Sequence, residues 1–224
     1  MQLNRTMAAG SAIAAAGVLA AGTLGVSTAN AAPKVQPAVG STSLATVLTA
    51  GGVAFDRNHA DFDVVTAAVL AVLSAKPDSP VKVLTDGTVA LTAFVPNDQA
   101  FIRLANDLST KHVRSEKAAF KVVAGLGIDT VETVLLYHVV PGATIDSGAA
   151  LNSNKAVLKT AQGGTIRVRV INKKHAKIAL VDKDRNSRDP RVVVKALDIN
   201  KGNAQIAHGI DRVLRPVDLP PTAK

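Results

Sequence analysis

The apolar pattern of this chain changes its period at Pro141-Gly142, and that change sets the fold class. Before the turn, apolar residues recur at helical spacing. Phe62, Val65, Val69, Val72 and Leu73 share one face of a predicted helix that opens at Asp61 or Asp63 and ends at Lys76-Pro77. After the turn, Thr165–Ile171 alternates, with Ile166, Val168 and Val170 on one face and Arg167 and Arg169 on the other. Helices that lead and strands that follow predict an α+β domain rather than an alternating α/β one.

Local signals place the other elements. Ser43 caps a short helix, Leu44–Thr49. Val89–Val95 is an apolar, β-favouring run bounded by Asp86-Gly87 and Pro96. Asn97 or Asp98 then caps a helix carrying Phe101, Leu104 and Leu108, and Lys117–Leu126 makes another. Asp129 and Glu132 have the spacing of a capping box ahead of Val131, Val134, Leu135 and His138. Lys177–Val181, Arg191–Leu197 and Gln205–Leu214 are further expected strands, and Asp182–Pro190 is polar and turn-like.

The N-terminus predicts export. Arg5 supplies positive charge, Met7–Val26 carries no charged side chain, and Ala29-Asn30-Ala31 fits a small-residue cleavage site. Residues 1–31 therefore read as a cleavable signal peptide, 32–40 as a linker, 41–219 as the domain and 220–224 as a tail. Cleavage leaves no membrane span. Cysteine is absent, which removes thiol nucleophiles, zinc–thiolate sites and iron–sulfur ligation. No cofactor is expected. With no Trp and one Tyr, the chain lacks platforms for stacking bases, and nucleic acid is a poor partner for an exported protein.

The formal charge of +9 is concentrated. Between Thr165 and Lys195, ten Lys or Arg residues face only Asp182, Asp184 and Asp189. Arg167, Arg169, Lys173, Lys174, Lys177, Arg185, Arg188 and Arg191 are the candidate polyanion-binding residues. Such a patch steers polyanions toward itself, and less so as salt rises. Outside a cell these are wall polymers or sulfated and acidic polysaccharides. A charged strand face that is merely solvated is the plainer reading.

Three segments stand out, in order. Thr92-Ala93-Phe94-Val95-Pro96-Asn97-Asp98-Gln99-Ala100-Phe101 is similar to the first signature of the fasciclin domain. Leu136-Tyr137-His138-Val139-Val140-Pro141-Gly142 resembles the central Tyr-His segment. The segment from Asn203 to Pro216, with Ile206, His208, Ile210 and Val213, resembles the second signature. The resemblance brackets about Ser41–Leu219 and implies two small sheets in a wedge with helices packed at one side. It also implies a non-enzymatic adhesion or interaction module, with an extracellular protein or matrix partner. In animal members the Asp-Ile and Tyr-His segments are implicated in integrin binding, which carries over to Asp198, Ile199, Tyr137 and His138. From the residues alone, His138 and His208 are either a metal or acid–base pair or semi-buried histidines bonded to backbone. The chain lacks HExxH and any Ser-His-Asp grouping. Asp98 is read as a helix cap, and Asp211 as a partner for a backbone N–H, His208 or Arg212.

Overall fold

The structure, a computed structural model, describes residues 40–218. The predicted signal peptide, the linker before Gly40 and the tail lie outside the described residues. Five helices come early: α1 (Leu44–Ala50), α2 (Asp63–Ala75), α3 (Asp98–Leu108), α4 (Glu116–Ala124) and α5 (Ile128–Tyr137). A 3-10 turn, Pro80–Thr85, and strand β1 (Leu91–Pro96) separate α2 from α3. Then come β2 (Val139–Pro141), α6 (Ser147–Asn152), β3 (Val157–Lys159), β4 (Thr165–Asn172), β5 (Lys177–Val181) and β6 (Gln205–Ile210).

The strands form two three-stranded sheets, ordered β2-β1-β6 and β3-β4-β5. In the first, β1 runs antiparallel to β2 and parallel to β6. The second is antiparallel throughout. Every residue of β1 and β6 is buried, because both faces of the first sheet are covered. The strand period sorts them: Ala93, Val95 and Ala207 pack into the core made with α1–α5, whereas Phe94 and Ile210 pack into the core shared with the second sheet. From the second sheet Ile166, Val168, Ile178 and Leu180 enter that same core. Fully buried Gln205 is satisfied on both ends, accepting from Leu44 N at 2.8 Å and donating to Val83 O at 2.7 Å and Asp86 O at 2.8 Å.

Several expectations change. Asn97 caps α3 by accepting from Ala100 N at 3.0 Å. Asp98 instead caps α2 from outside that helix: its oxygens accept from Asp63 N (3.2 Å) and Val64 N (2.9 Å). The capping box at Asp129 and Glu132 does not form. Helix α5 opens on Gly127 at φ 87°, without a side-chain cap, and both carboxylates meet Lys76 of the chain after α2. The expected strand Arg191–Leu197 is a stitch between sheets: Arg191 bridges to Ala179, Val192 bridges to Ile210, and a 3-10 turn follows at Val194–Ala196. One segment cannot continue both ladders, so it pairs with each for one residue. The last strand stops at Ile210, four residues early, where its partner β1 ends at Pro96; beyond it Leu214 N donates to His138 Nε2 at 2.9 Å. Helix α6 and strands β2 and β3 were not anticipated.

Candidate functional site

In β4 the alternation seen in the sequence holds: Ile166 and Val168 are buried, Arg167 and Arg169 exposed. The register builds a face around them. Arg167 lies between Val157 of β3 and Val181 of β5, and Arg169 lies beside Ala179. Ala179 in turn pairs with Arg191. Counting in twos along each strand adds Lys159 on one side and Lys177 on the other, both exposed, and exposed Lys155 stands in the turn before β3, at φ 69°. Part of this face is an open concavity of about 740 Å³, lined by Lys155, Val157, Arg167, Arg169 and Lys183 among others.

Its acidic neighbours are partly engaged. Asp189 accepts from Arg169 Nη2 at 2.7 Å. Asp182 also lines the concavity, but its carboxylate accepts from Arg215 N at 2.8 Å and Asp184 N at 3.0 Å. Burial pushes its pKa up to about 6, against the pull of those N–H groups.

Of the eight cations singled out in the sequence, Arg167, Arg169, Lys177 and Arg191 share this face. Lys173 and Lys174 lie at the β4–β5 turn, where Lys173 Nζ donates to Asn152 Oδ1 at 2.5 Å. Arg185 and Arg188 lie in the loop after β5, and Arg188 pairs with Asp211. Asp211 also accepts from Arg191 N at 2.7 Å, so it anchors the stitch segment rather than His208. Sequence reading missed Lys159, which joins the basic run through β3 pairing, and Lys155, which reaches the concavity from the turn before β3.

The Tyr-His segment is interior. Tyr137 is fully buried and its hydroxyl donates to Thr165 O at 2.8 Å, tying α5 to β4; burial raises its pKa to about 12. His138 is buried too. Its Nδ1 meets Val134 O at 2.7 Å and must donate, while its Nε2 accepts from Leu214 N. His208 takes the opposite tautomer: Nε2 donates to Ile145 O at 2.8 Å and Nδ1 accepts from Asp198 N at 3.3 Å. All four ring nitrogens are thus engaged by backbone. Burial lowers both pKa values, that of His138 to about 4. Asp198 is half-buried and holds Ser147 through its N–H (2.7 Å) and its hydroxyl (2.7 Å), and Lys201 Nζ at 3.1 Å. Ile199 bridges to Ala207 and packs against the helical core.

The three motif segments converge in space, for they supply β1, β2 and β6, the whole of the first sheet. A family model described as the fasciclin domain matches residues 66–216. The chain belongs to the fasciclin family. Fasciclin domains are generally extracellular, adhesion-related and non-enzymatic. A solved structure similar to this chain is described as a novel fold revealed by a FAS1 domain pair from the insect cell adhesion molecule Fasciclin I. The two are 17% identical, the match covers 71% of this chain and 48% of that one, and the TM-score is 0.46. This chain thus spans about half the length of that relative. A search of the curated proteins found no match. Among the described residues of this fasciclin domain, no helix is long and apolar enough to cross a membrane.

Proposed function

We propose that this protein is a secreted, non-catalytic fasciclin module that attaches to extracellular polyanions through the outer face of β3-β4-β5. The observation that carries the reading is the register of that sheet. It sets Lys159, Arg167, Arg169, Lys177 and Arg191 on one exposed surface whose opposite face is core, and Lys155, from the turn before β3, lines the concavity there with Arg167 and Arg169. Like charges so placed repel one another, and an anionic polymer relieves that repulsion. The family signatures lie on the other sheet, so the fold acts as a scaffold for this surface. The non-catalytic reading is supported by the commitment of His138, His208, Asp98 and Asp211 to backbone groups. Secretion rests on residues 1–31 and predicts an exported protein that begins at Ala32.

The test is binding of the purified protein to heparin and to a phosphate-rich wall polymer at two salt concentrations. Tight binding at low salt that weakens steeply at about 0.15 M is expected. The triple change Lys155→Ala, Arg167→Ala and Arg169→Ala should reduce it at least about tenfold. Salt-insensitive binding, or binding unchanged by the triple variant, defeats the reading.

A second reading is a protein partner held at Asp198 and Ile199. It is favoured by the tightness of that loop: Asp198 and Asn200 both have positive φ, at 56° and 66°, and the Asp198 side chain is held by Ser147 and Lys201. Tyr137 and His138, being buried, act in this reading only by supporting the fold beneath it. Binding to integrin-bearing cells that survives high salt and is lost in Asp198→Ala would favour it over the first.

A further inference from the structure

Three helices begin on an acid at one place. Asp63, Asp98 and Glu116 are the first residues of α2, α3 and α4, and all three are buried. Carboxylate oxygens of Asp61, Asp98 and Glu116 lie within 4.8 Å of one another, as do those of Asp56, Asp61 and Asp63. Asp61 belongs to both groups, so five carboxylates adjoin.

Helix N-termini attract anions, and some of these oxygens are accounted for in that way. Asp98 accepts from the first two N–H groups of α2. Glu116 Oε2 accepts from Asp56 N at 2.7 Å, and Asp61 Oδ2 from Asn58 Nδ2 at 2.9 Å. The remaining oxygens are the informative ones. Glu116 is 0% exposed, yet its Oε1 has no hydrogen-bond partner, and neither has the buried Oδ1 of Asp61. The imidazole Nε2 of His59 stands 3.7 Å from Glu116 Oε1, beyond hydrogen-bonding reach. A buried carboxylate oxygen without a donor is costly, and crowded carboxylates multiply the cost.

We infer that the Asp61–Asp98–Glu116 cluster, completed by Asp56 and Asp63, is a calcium site that locks together the N-termini of α2, α3 and α4. The donors are all oxygen, which selects a hard cation. They come from an irregular junction of helix ends and loop, which suits the variable geometry of Ca²⁺ better than the strict octahedron of Mg²⁺. Asp56 is exposed and Asp61 half-buried, so the ion enters from that side. The positive helix ends oppose the cation, which sets the affinity in the range of extracellular calcium modules, about 0.1–1 mM. The site is separate from the basic sheet face and does not depend on its function.

Calorimetric titration of the metal-stripped protein with CaCl₂ tests this. One saturable site is expected, with a melting temperature about 4 °C higher at tenfold excess over Kd than in chelator. Asp61→Asn and Glu116→Gln each keep an oxygen for the neighbouring N–H, and each should weaken calcium at least tenfold while the protein stays folded by circular dichroism. Asp78→Asn, an exposed acid elsewhere, should leave the titration unchanged. No saturable heat and no melting shift up to about 10 mM Ca²⁺ means the cluster holds a shared proton, and overturns the proposal. Wild-type affinity in Asp61→Asn overturns it as well, and so does zinc binding in preference to calcium that is lost in His59→Gln.

Discussion

At the scale of the residue, the two motif histidines act as neutral connectors, and pH should reveal it. Burial holds His138 near pKa 4, below its ordinary value of 6.5, so the folded state resists its protonation. Its contribution to stability is therefore full above pH 6.5 and is lost as pH falls toward 4. Between pH 7.5 and 4.5 the linkage amounts to roughly 2.5 kcal/mol. Urea unfolding should show the wild type losing about that much more than His138→Asn over the interval. Asp182 works with the opposite sign. Its folded pKa is raised to about 6 from 3.8, so its contribution is present below 3.8 and is lost as pH rises through 6. Asp182→Asn should accordingly steepen the acid-side loss of stability. Capping residues give a second contrast: Asn97→Ala should cost about 1 kcal/mol, the usual value of one N-cap. Asp98→Ala removes two bonds to α2 from a fully buried carboxylate and should cost more, about 2–4 kcal/mol, read from urea midpoints.

At the scale of the element, periodicity in the sequence identified what neighbours along the chain could reveal. The alternation of Ile166, Arg167, Val168 and Arg169 correctly gave both faces of β4. Lys177–Val181 was legible to the residue. The short elements β2, β3 and α6 were not, since three to six residues carry too little period to register. Arg191–Leu197 failed for another reason: its apolar, β-favouring residues are real, but two sheets compete for them. The close approach there is testable. A Cβ at Gly209 of β6 would meet the Ala196 Cβ at 2.6 Å and the Phe62 ring at 3.2 Å. Gly209→Ala should therefore destabilise by about 1–3 kcal/mol, through displacement of the turn after the stitch. Thermal unfolding would measure it.

At the scale of the molecule, the first sheet separates two cores, and the second core holds the two sheets together. Phe94 points from β1 into that second core beside Val140, Ile166 and Ile210. Phe94→Ala should cost about 3–5 kcal/mol and loosen the basic sheet, seen as faster hydrogen exchange in β4 and β5. If exchange there stays unchanged while stability falls, the second sheet is held by its own ladder and by the stitch at Arg191 and Val192.

The α+β order, the faces of β4, the basic run and the three segments that form the first sheet are all legible along the chain. Those are local facts, set by period, turn residues and motif. Packing in three dimensions makes Asp98 a cap of α2 rather than of its own helix, and brings Lys155 and Lys159 to Arg167 and Arg169. It also brought Asp56 and Asp61 to Glu116, across a separation of 60 residues in the case of Asp56. These pairings join residues far apart in the chain. They depend on how helices and sheets pack around two cores, and that packing has no period for a linear reading to detect.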